Sequence, residues 1–329
     1  MTAAMRAITF NSFGAIDVLR VESVVMPELT SNQVLIQTKN IGLGGVDVLI
    51  RKGKLEALLG TPPVPLGLEA TGVVAAVGGN IKDFSIGQEV VTIMPPNGAY
   101  AEFIVGDAAL TVALPQDIPA YDAAGMVNLT AAYLAIQHGG ISNDTRTVMV
   151  HGASGGLGSA MGQMLRALYP DVHSLGTVRD ISKKKFAMSQ GFKEVISSND
   201  FTDESYMSTS ERPKVIFDPI GGELRRCSLR HLQPQGSLIA LGNTTAEVDS
   251  MIPSQNIWLN GQRILGFNLG LYAMSNTQNV RQAMAAVLRL ASDGSLSIKP
   301  TRVFAFDHVA EAHEYLESGH NIGCSVLQV

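Results

Sequence analysis

Short apolar and β-branched runs fill the first third of the chain: "MRAITF", "DVLRVESV", "QVLIQTKNIG", "ATGVVAAVG", "QEVVTIM" and "AYAEFIV", punctuated by glycine and proline. That spacing predicts a compact, barrel-like β-rich unit with little helix. Near Ala120 the pattern changes. From "YDAAGMVNLTAAYLAIQHGG" onward, helical periodicity alternates with six short apolar runs, "TVMVH", "VHSLGTV", "KEVIS", "KVIFDPIG", "GSLIALG" and "RILGFNLG". Alternation of this kind predicts βαβ units, and six strands make up a complete doubly wound parallel sheet of the dinucleotide-binding kind. A long amphipathic stretch, "NTQNVRQAMAAVLRLASDG", then leads to "RVFAFDHVAEAHEYLESG" and a last strand, "CSVLQV". The fold class is α/β, with a β-rich domain beside the parallel sheet. The polar segment from Phe201 to Pro213, "FTDESYMSTSERP", reads as a surface helix or loop.

Length and composition narrow the function classes. At 329 residues the chain is long enough for two domains, each with its own core. Hydrophobic residues make up 46% and charged ones 16%, which suits a sheet covered on both faces. A net charge of −5 supplies no basic surface for phosphate backbones or anionic lipid, so nucleic acid and membrane are not expected as partners. Two cysteines, Cys227 and Cys324, can build neither a disulfide framework nor a four-thiolate zinc site, and a reduced compartment is the simplest inference. Nowhere does an apolar run reach the roughly 18 residues of a membrane span, so a soluble cytoplasmic protein is expected.

The densest signal is "HGASGGLG" at residues 151–158, between an apolar strand and a helix. A tight glycine turn leading into a helix N-terminus is a ready anion site, because free backbone N–H groups and the helix dipole point at it. Gly152, Gly155 and Gly158 are spaced for the turn, for close approach of a pyrophosphate and for helix-on-strand packing, with Gly156 adding clearance. Glycines that only let a helix pack closely on a strand are the alternative. Pro170 ends the helix after about three turns. About 20 residues past such a turn an acidic residue selects NAD and a cation selects NADP. Here the next strand ends "LGTVRDISKKK", with Arg179 at that position and Lys183 a turn further on. Asp180 is open to two readings, a helix N-cap or a ribose ligand.

Taken together and in order, "GGVDVLIRKG", "PLGLEATGVVAAVG", "GAYAEF", "NLTAAY", "HGASGGLG", "FDPIGG", "ALGN" and a terminal "ESG" are carried over essentially the whole length. The chain resembles the zinc-free quinone oxidoreductase branch of the medium-chain dehydrogenase/reductase superfamily. The resemblance implies a GroES-like catalytic domain, residues 1–125 completed by 271–329, and a Rossmann NADPH-binding domain, residues 126–270. It further implies cofactor contacts at Thr130, at Ser154, Gly155, Gly156, Leu157 and Gly158 of the glycine turn, and at Lys183, Asp218, Gly242, Asn243, Phe267 and Asn268, to which Arg179 is added from the strand-end argument. Asp218 has a structural cap as its alternative, and Phe267 a core role.

Two departures matter for chemistry. The G-H-E motif that carries the zinc histidine in zinc-bearing relatives is Gly67, Leu68 and Glu69 here, and no Cys₂His set is available. No metal is therefore expected. In the catalytic lobe the family pattern N-x-x-D-x-Y-x-R-x-G keeps Asp47, Arg51 and Gly53 but has Gly44 for the asparagine and Leu49 for the tyrosine. Asp47 and Arg51 fall on one helical face and are expected either to pair with each other structurally or to act in catalysis alongside Thr130. The resemblance implies an NADPH-dependent reductase passing hydride to a quinone or conjugated carbonyl, with reduction of enoyl thioesters or alkenals, or non-catalytic NADPH sensing, as alternatives. The resemblance also implies a homodimer paired through "QRILGFNLGLY", whose apolar edge would otherwise invite aggregation, with a strand merely covered by a helix as the alternative.

Overall fold

A computed structural model describes residues 3–142, 144–202, 212–245 and 252–329. The chain divides into two compact units, Met1–Val127 with Ala273–Val329, and Asn128–Tyr272.

The first unit opens with an antiparallel hairpin of β1 (Ala4–Thr9) and β2 (Arg20–Val25), followed by the eleven-residue β3 (Gln33–Leu43). Side chains alternate along the first part of β3, so that Val34 and Ile36 are fully buried, while from Asn40 to Leu43 every position is buried. After β3 come the short helices α1 (Gly45–Arg51) and α2 (Glu56–Leu59). Then follow β4 (Glu69–Val77), β5 (Glu89–Ile93), β6 (Phe103–Asp107) and β7 (Thr111–Ala113). The β3–β4 register slips between Leu35 and Ile36 and again between Thr38 and Asn40. Such bulges bend the pair and increase its twist.

In the second unit α3 (Met126–His138) leads into β8 (Thr147–Val150) and α4 (Gly156–Leu168). Next come β9 (His173–Val178), α5 (Lys184–Ser189), β10 (Glu194–Ser197) and α6 (Ser198–Thr202). The unit continues through β11 (Val215–Asp218), α7 (Gly222–His231), β12 (Ser237–Ala240), α8 (Ser254–Asn260), β13 (Arg263–Gly266) and α9 (Leu269–Ser275). The strands form one parallel sheet in the order β10-β9-β8-β11-β12-β13. All six apolar runs are strands of this Rossmann-type sheet. β8 and β11 are buried at every position, as a sheet covered on both faces requires. The strand order reverses between β8 and β11, which puts a crevice at their carboxyl ends.

One segment differs from expectation. Phe201, at the head of the polar stretch read as surface, is fully buried on α6 and packs edge-on to His151 at 4.9 Å. A single aromatic at the end of a short helix fills the space beside α7, a placement that no periodicity announces. Residues 203–211 of that stretch lie outside the described residues.

The chain then returns to the first unit through α10 (Thr277–Ser292), β14 (Arg302–Ala305), α11 (Val309–Glu317) and β15 (Ser325–Gln328). β15 pairs with the second half of β3, Asn40 to Leu43, while β6 pairs with its first half, Gln33 to Gln37. Among the described residues no helix is long and apolar enough to cross a membrane.

Candidate functional site

The glycine turn sits at the carboxyl end of β8, beside the strand-order reversal. Gly152 has φ +65°, a left-handed conformation that favours glycine. A methyl at Gly158 would meet the Gly152 carbonyl oxygen at 2.1 Å, so this glycine lets α4 press onto the strand end. Gly155 differs: a methyl there would lie 3.5 Å from the same oxygen, an ordinary contact. Packing within the unit leaves Gly155 free to be another residue, and its bare Cα keeps open space above the turn. Gly155 is also the N-cap of α4 and supplies no side-chain cap. The first-turn N–H groups of Gly156, Leu157 and Gly158 have no intrahelical acceptor and, with the dipole, form an anion cradle. Ser154 is buried beneath the turn.

His151, at the strand end, is fully buried, with Nδ1 2.9 Å from Thr177 Oγ1 and Nε2 2.7 Å from Ser228 Oγ. Burial pulls its pKa down to about 4, so the ring is neutral and ties β8 to β9 and α7.

β9 ends at Val178, and the next residues decide the dinucleotide. Arg179 is exposed, while the Asp180 carboxylate accepts from the Ser182 N–H at 2.9 Å, capping the turn that leads to α5. Asp180 is thus an N-cap, the first of its two readings. Lys183 is half-buried, and burial together with the neighbouring Arg179 lowers its pKa, with Asp180 opposing. Arg179 and Lys183 are therefore close enough to interact, just past the strand that follows the glycine turn.

The remaining predicted contacts sit on adjoining loops. Asp218, at the end of β11, is fully buried and accepts from Ile220 N (2.8 Å), Gly221 N (3.0 Å) and Arg225 Nε (2.6 Å). Both its oxygens have protein partners, the arrangement of a structural cap. The turn it holds touches both neighbours: a methyl at Gly152 would meet Ile220 at 3.0 Å, and one at Gly242 would meet Pro219 O at 3.0 Å. Asn243 Oδ1 accepts from Thr245 Oγ1 at 2.9 Å. Phe267 is buried and packs on His138 and Tyr272 at 5.2 and 5.6 Å, the core role. Asn268 Oδ1 accepts from Leu271 N at 3.2 Å, which anchors the start of α9. Thr130, on α3, is fully buried with its Oγ1 lacking any partner, an orphan donor of the sort a bound ligand satisfies. A dinucleotide fits this set: an uncapped helix N-terminus, a cation pair and an unspent hydroxyl.

In the first unit the expected Asp47–Arg51 pair does not form. Asp47 Oδ2 accepts from Gly44 N at 2.8 Å and Oδ1 from Gly67 N at 3.2 Å, whereas Arg51 reaches α11 and pairs with Glu317. Both α1 residues are buried, Arg51 completely. Burial raises the Asp47 pKa to about 7 against the hydrogen bonds from Gly44, Gly67 and Tyr100. The Tyr100 hydroxyl also lies 3.2 Å from His313 Nε2, and burial holds His313 down at about 4. Sequence reasoning missed Tyr100 and His313, and Arg225 as the partner of Asp218. Gly44 is the N-cap of α1, where a methyl would sit an ordinary 3.7 Å from Asp47, and Leu49 is half-buried.

Two family models match in sequence: an alcohol dehydrogenase GroES-like domain over residues 30–116 and a zinc-binding dehydrogenase domain over residues 190–327. A Burkholderia 2-haloacrylate reductase is 29% identical over 90% of each chain. A zebrafish synaptic vesicle membrane protein VAT-1 homolog is 27% identical over 99% of this chain and 70% of its own. The solved quinone oxidoreductase of Pseudomonas syringae is 26% identical, with TM-score 0.86 over 99% of this chain and all of its own. Both domains and these relatives make the chain similar over its length to the quinone oxidoreductase branch of the medium-chain dehydrogenase/reductase superfamily.

Zinc needs nitrogen, sulfur or carboxylate donors. Leu68 offers none, and the buried Glu69 carboxylate accepts from Val127 N at 2.6 Å at the first turn of α3. Burial raises the Glu69 pKa. Among the described residues no three His, Cys, Asp or Glu side chains are grouped to hold a metal. The side chains present do not fit the zinc that the second family model's description names.

Proposed function

We propose that this medium-chain oxidoreductase uses NADPH to reduce quinones or other α,β-unsaturated carbonyl compounds without zinc. The observation that carries the reading is the two cations after β9: Arg179 and Lys183 are close enough to interact, and Asp180 between them caps the following turn. A guanidinium binds a 2′-phosphate through paired, charge-assisted hydrogen bonds, and the adjoining acid, Asp180, caps the following turn. The names of the Burkholderia and Pseudomonas relatives support the reductase reading. The bound cofactor supplies the hydride. The chain's own work is to cradle the pyrophosphate on the first-turn amides of α4, to fix the 2′-phosphate with Arg179 and Lys183, and to satisfy the ligand with the Thr130 hydroxyl. Leu49 and Gly44 stand in place of the family's tyrosine and asparagine, so the acid that tyrosine would supply is missing. Electron-poor acceptors suit such a site, because their oxygen can be stabilised by backbone donors or water and protonated from solvent.

NADPH should bind at least about tenfold tighter than NADH, since one phosphate-binding arginine contributes about 1.5–3 kcal/mol. Fluorescence titration of both cofactors against wild type and Arg179→Ala tests this. Equal affinities in wild type, or an unchanged ratio in the variant, would refute it. NADPH binding with no turnover on a broad set of quinones, enones and enoyl thioesters would refute the reductase reading.

We further propose a cytoplasmic homodimer joined along β13. That strand is at the edge of its sheet, and Leu265 on it, with Trp258, Leu259 and Leu271 on flanking elements, is 40–77% exposed. Light scattering at micromolar concentration should give twice 34.9 kDa, and a single-chain mass would end the idea.

A further inference from the structure

Arg225 occupies the first turn of α7, where a cation opposes the helix dipole, so the helix itself gives no reason for an arginine there. Its side chain reaches back along the helix axis. Nε donates to Asp218 Oδ2 at 2.6 Å, and Nη2 donates to the Gly242 carbonyl and, at 3.5 Å, to the Asp218 carbonyl. One guanidinium thus links the carboxyl ends of β11 and β12. The other oxygen of Asp218 holds the 219–221 turn through Ile220 N and Gly221 N. That turn packs against the glycine turn through Ile220 and against Gly242 through Pro219, while Gly221 abuts Asn243. A stability device would need the Asp218 arm alone. The second arm fixes the backbone of Gly242 on the ligand side of the strand ends, where open α/β sheets bind their ligands.

We propose that Arg225 is a positioning residue for the cofactor: it clamps the turn after β11 to the loop after β12, setting the wall of the crevice beside the glycine turn. This rests on the dinucleotide reading above. The clamp lies apart from the Arg179–Lys183 pair, so it governs affinity for the part common to both cofactors and leaves the choice between them alone.

Arg225→Lys separates the two arms, because a lysine ammonium reaches the Asp218 carboxylate but lacks the planar fork that spans to Gly242. Arg225→Met removes both. Three measurements decide: urea unfolding midpoint, affinity for NADPH and for NADH, and amide hydrogen exchange in the unliganded protein. Arg225→Lys should keep the wild-type midpoint, lose about tenfold or more in affinity for both cofactors with their ratio unchanged, and exchange about tenfold faster at residues 220–221 and 241–243. Arg225→Met should add a lower midpoint. Wild-type affinity in both variants would overturn the proposal, as would an affinity loss in Arg225→Lys that only follows a fallen midpoint. Wild-type protein binding neither cofactor would refute the dinucleotide reading instead. In that case the exchange measurement still decides the clamp, and unchanged protection at residues 220–221 and 241–243 in Arg225→Lys would refute it.

Discussion

Gly158→Ala tests the packing of the glycine turn with a single methyl. The added carbon would lie 2.1 Å from Gly152 O, 2.7 Å from Gly152 C and 2.9 Å from Ala153 Cα, all backbone atoms that no rotamer change can move. Relief requires the first turn of α4 to retreat from β8 by about 1 Å, and overpacking of this kind costs about 1–3 kcal/mol. Alanine returns up to about 1 kcal/mol in helix propensity, less at a first turn, so a net loss of about 1–2 kcal/mol is expected. The same retreat moves the amides of residues 156–158 off their ligand. Weakening one charge-assisted hydrogen bond by about 1.4 kcal/mol lowers NADPH affinity about tenfold. Gly155→Ala is the matched control, since its methyl makes only an ordinary 3.5 Å contact with the protein and projects into the open space above the turn. It should unfold at the wild-type urea concentration and still bind NADPH at least tenfold more weakly, by obstructing the pyrophosphate. Urea unfolding and fluorescence titration on both variants separate the two effects. A wild-type midpoint for Gly158→Ala would refute the packing argument. Wild-type affinity for Gly155→Ala would show that phosphate does not approach from that side.

Asp47 should make stability fall with rising pH. Its folded pKa is raised from 3.8 to about 7, so its contribution is full below about pH 4 and is lost as pH rises through 7. At about 1.4 kcal/mol per unit the upper bound is about 4 kcal/mol, and Asp47→Asn should flatten that part of the denaturation profile relative to wild type. An identical pH profile in the variant would count against the buried assignment. Leu49→Tyr should shift turnover toward less activated enones, because general acid assistance contributes about 10²–10⁴-fold. A kcat/KM ratio between quinone and enone unchanged from wild type would show that the acid is not what limits the chain.

The six-stranded sheet was legible because its strands are short and separated by helical periodicity, and its central strands β8 and β11, buried at every position, appear as unbroken apolar runs. The glycine turn was legible for a similar reason: its signal lies within eight consecutive residues, 151–158. What sequence spacing misassigned is long-range pairing. Arg51 looked like a partner for Asp47 four positions away, yet it pairs with Glu317, on a helix 266 residues later in the chain. Tyr100 and His313 meet across 213 residues. The role of Asp218 was ambiguous for another reason. A carboxylate at a strand end is equally apt to bind a ligand or cap a turn, and only the presence of Arg225 seven residues on, reaching backward, settles the matter. Phe201 shows the limit of composition, since one buried ring in a polar stretch leaves no periodic trace.

The placement of β15 sets an order on the making of the molecule. Leu43 on β3 is hydrogen-bonded in register with Ser325, so one edge of the Asn40–Leu43 half of that strand lacks its neighbour until residue 325 has been made. Residues 128–272, by contrast, are one contiguous stretch that contains all the strands of its own sheet. During synthesis the later-encoded sheet can close first, while the earlier one waits with the Asn40–Leu43 segment exposed as an open, apolar edge. Nascent chains stalled before residue 325 should therefore be the species that chaperones hold and proteases clear, and ligand added at that stage should protect only the contiguous unit.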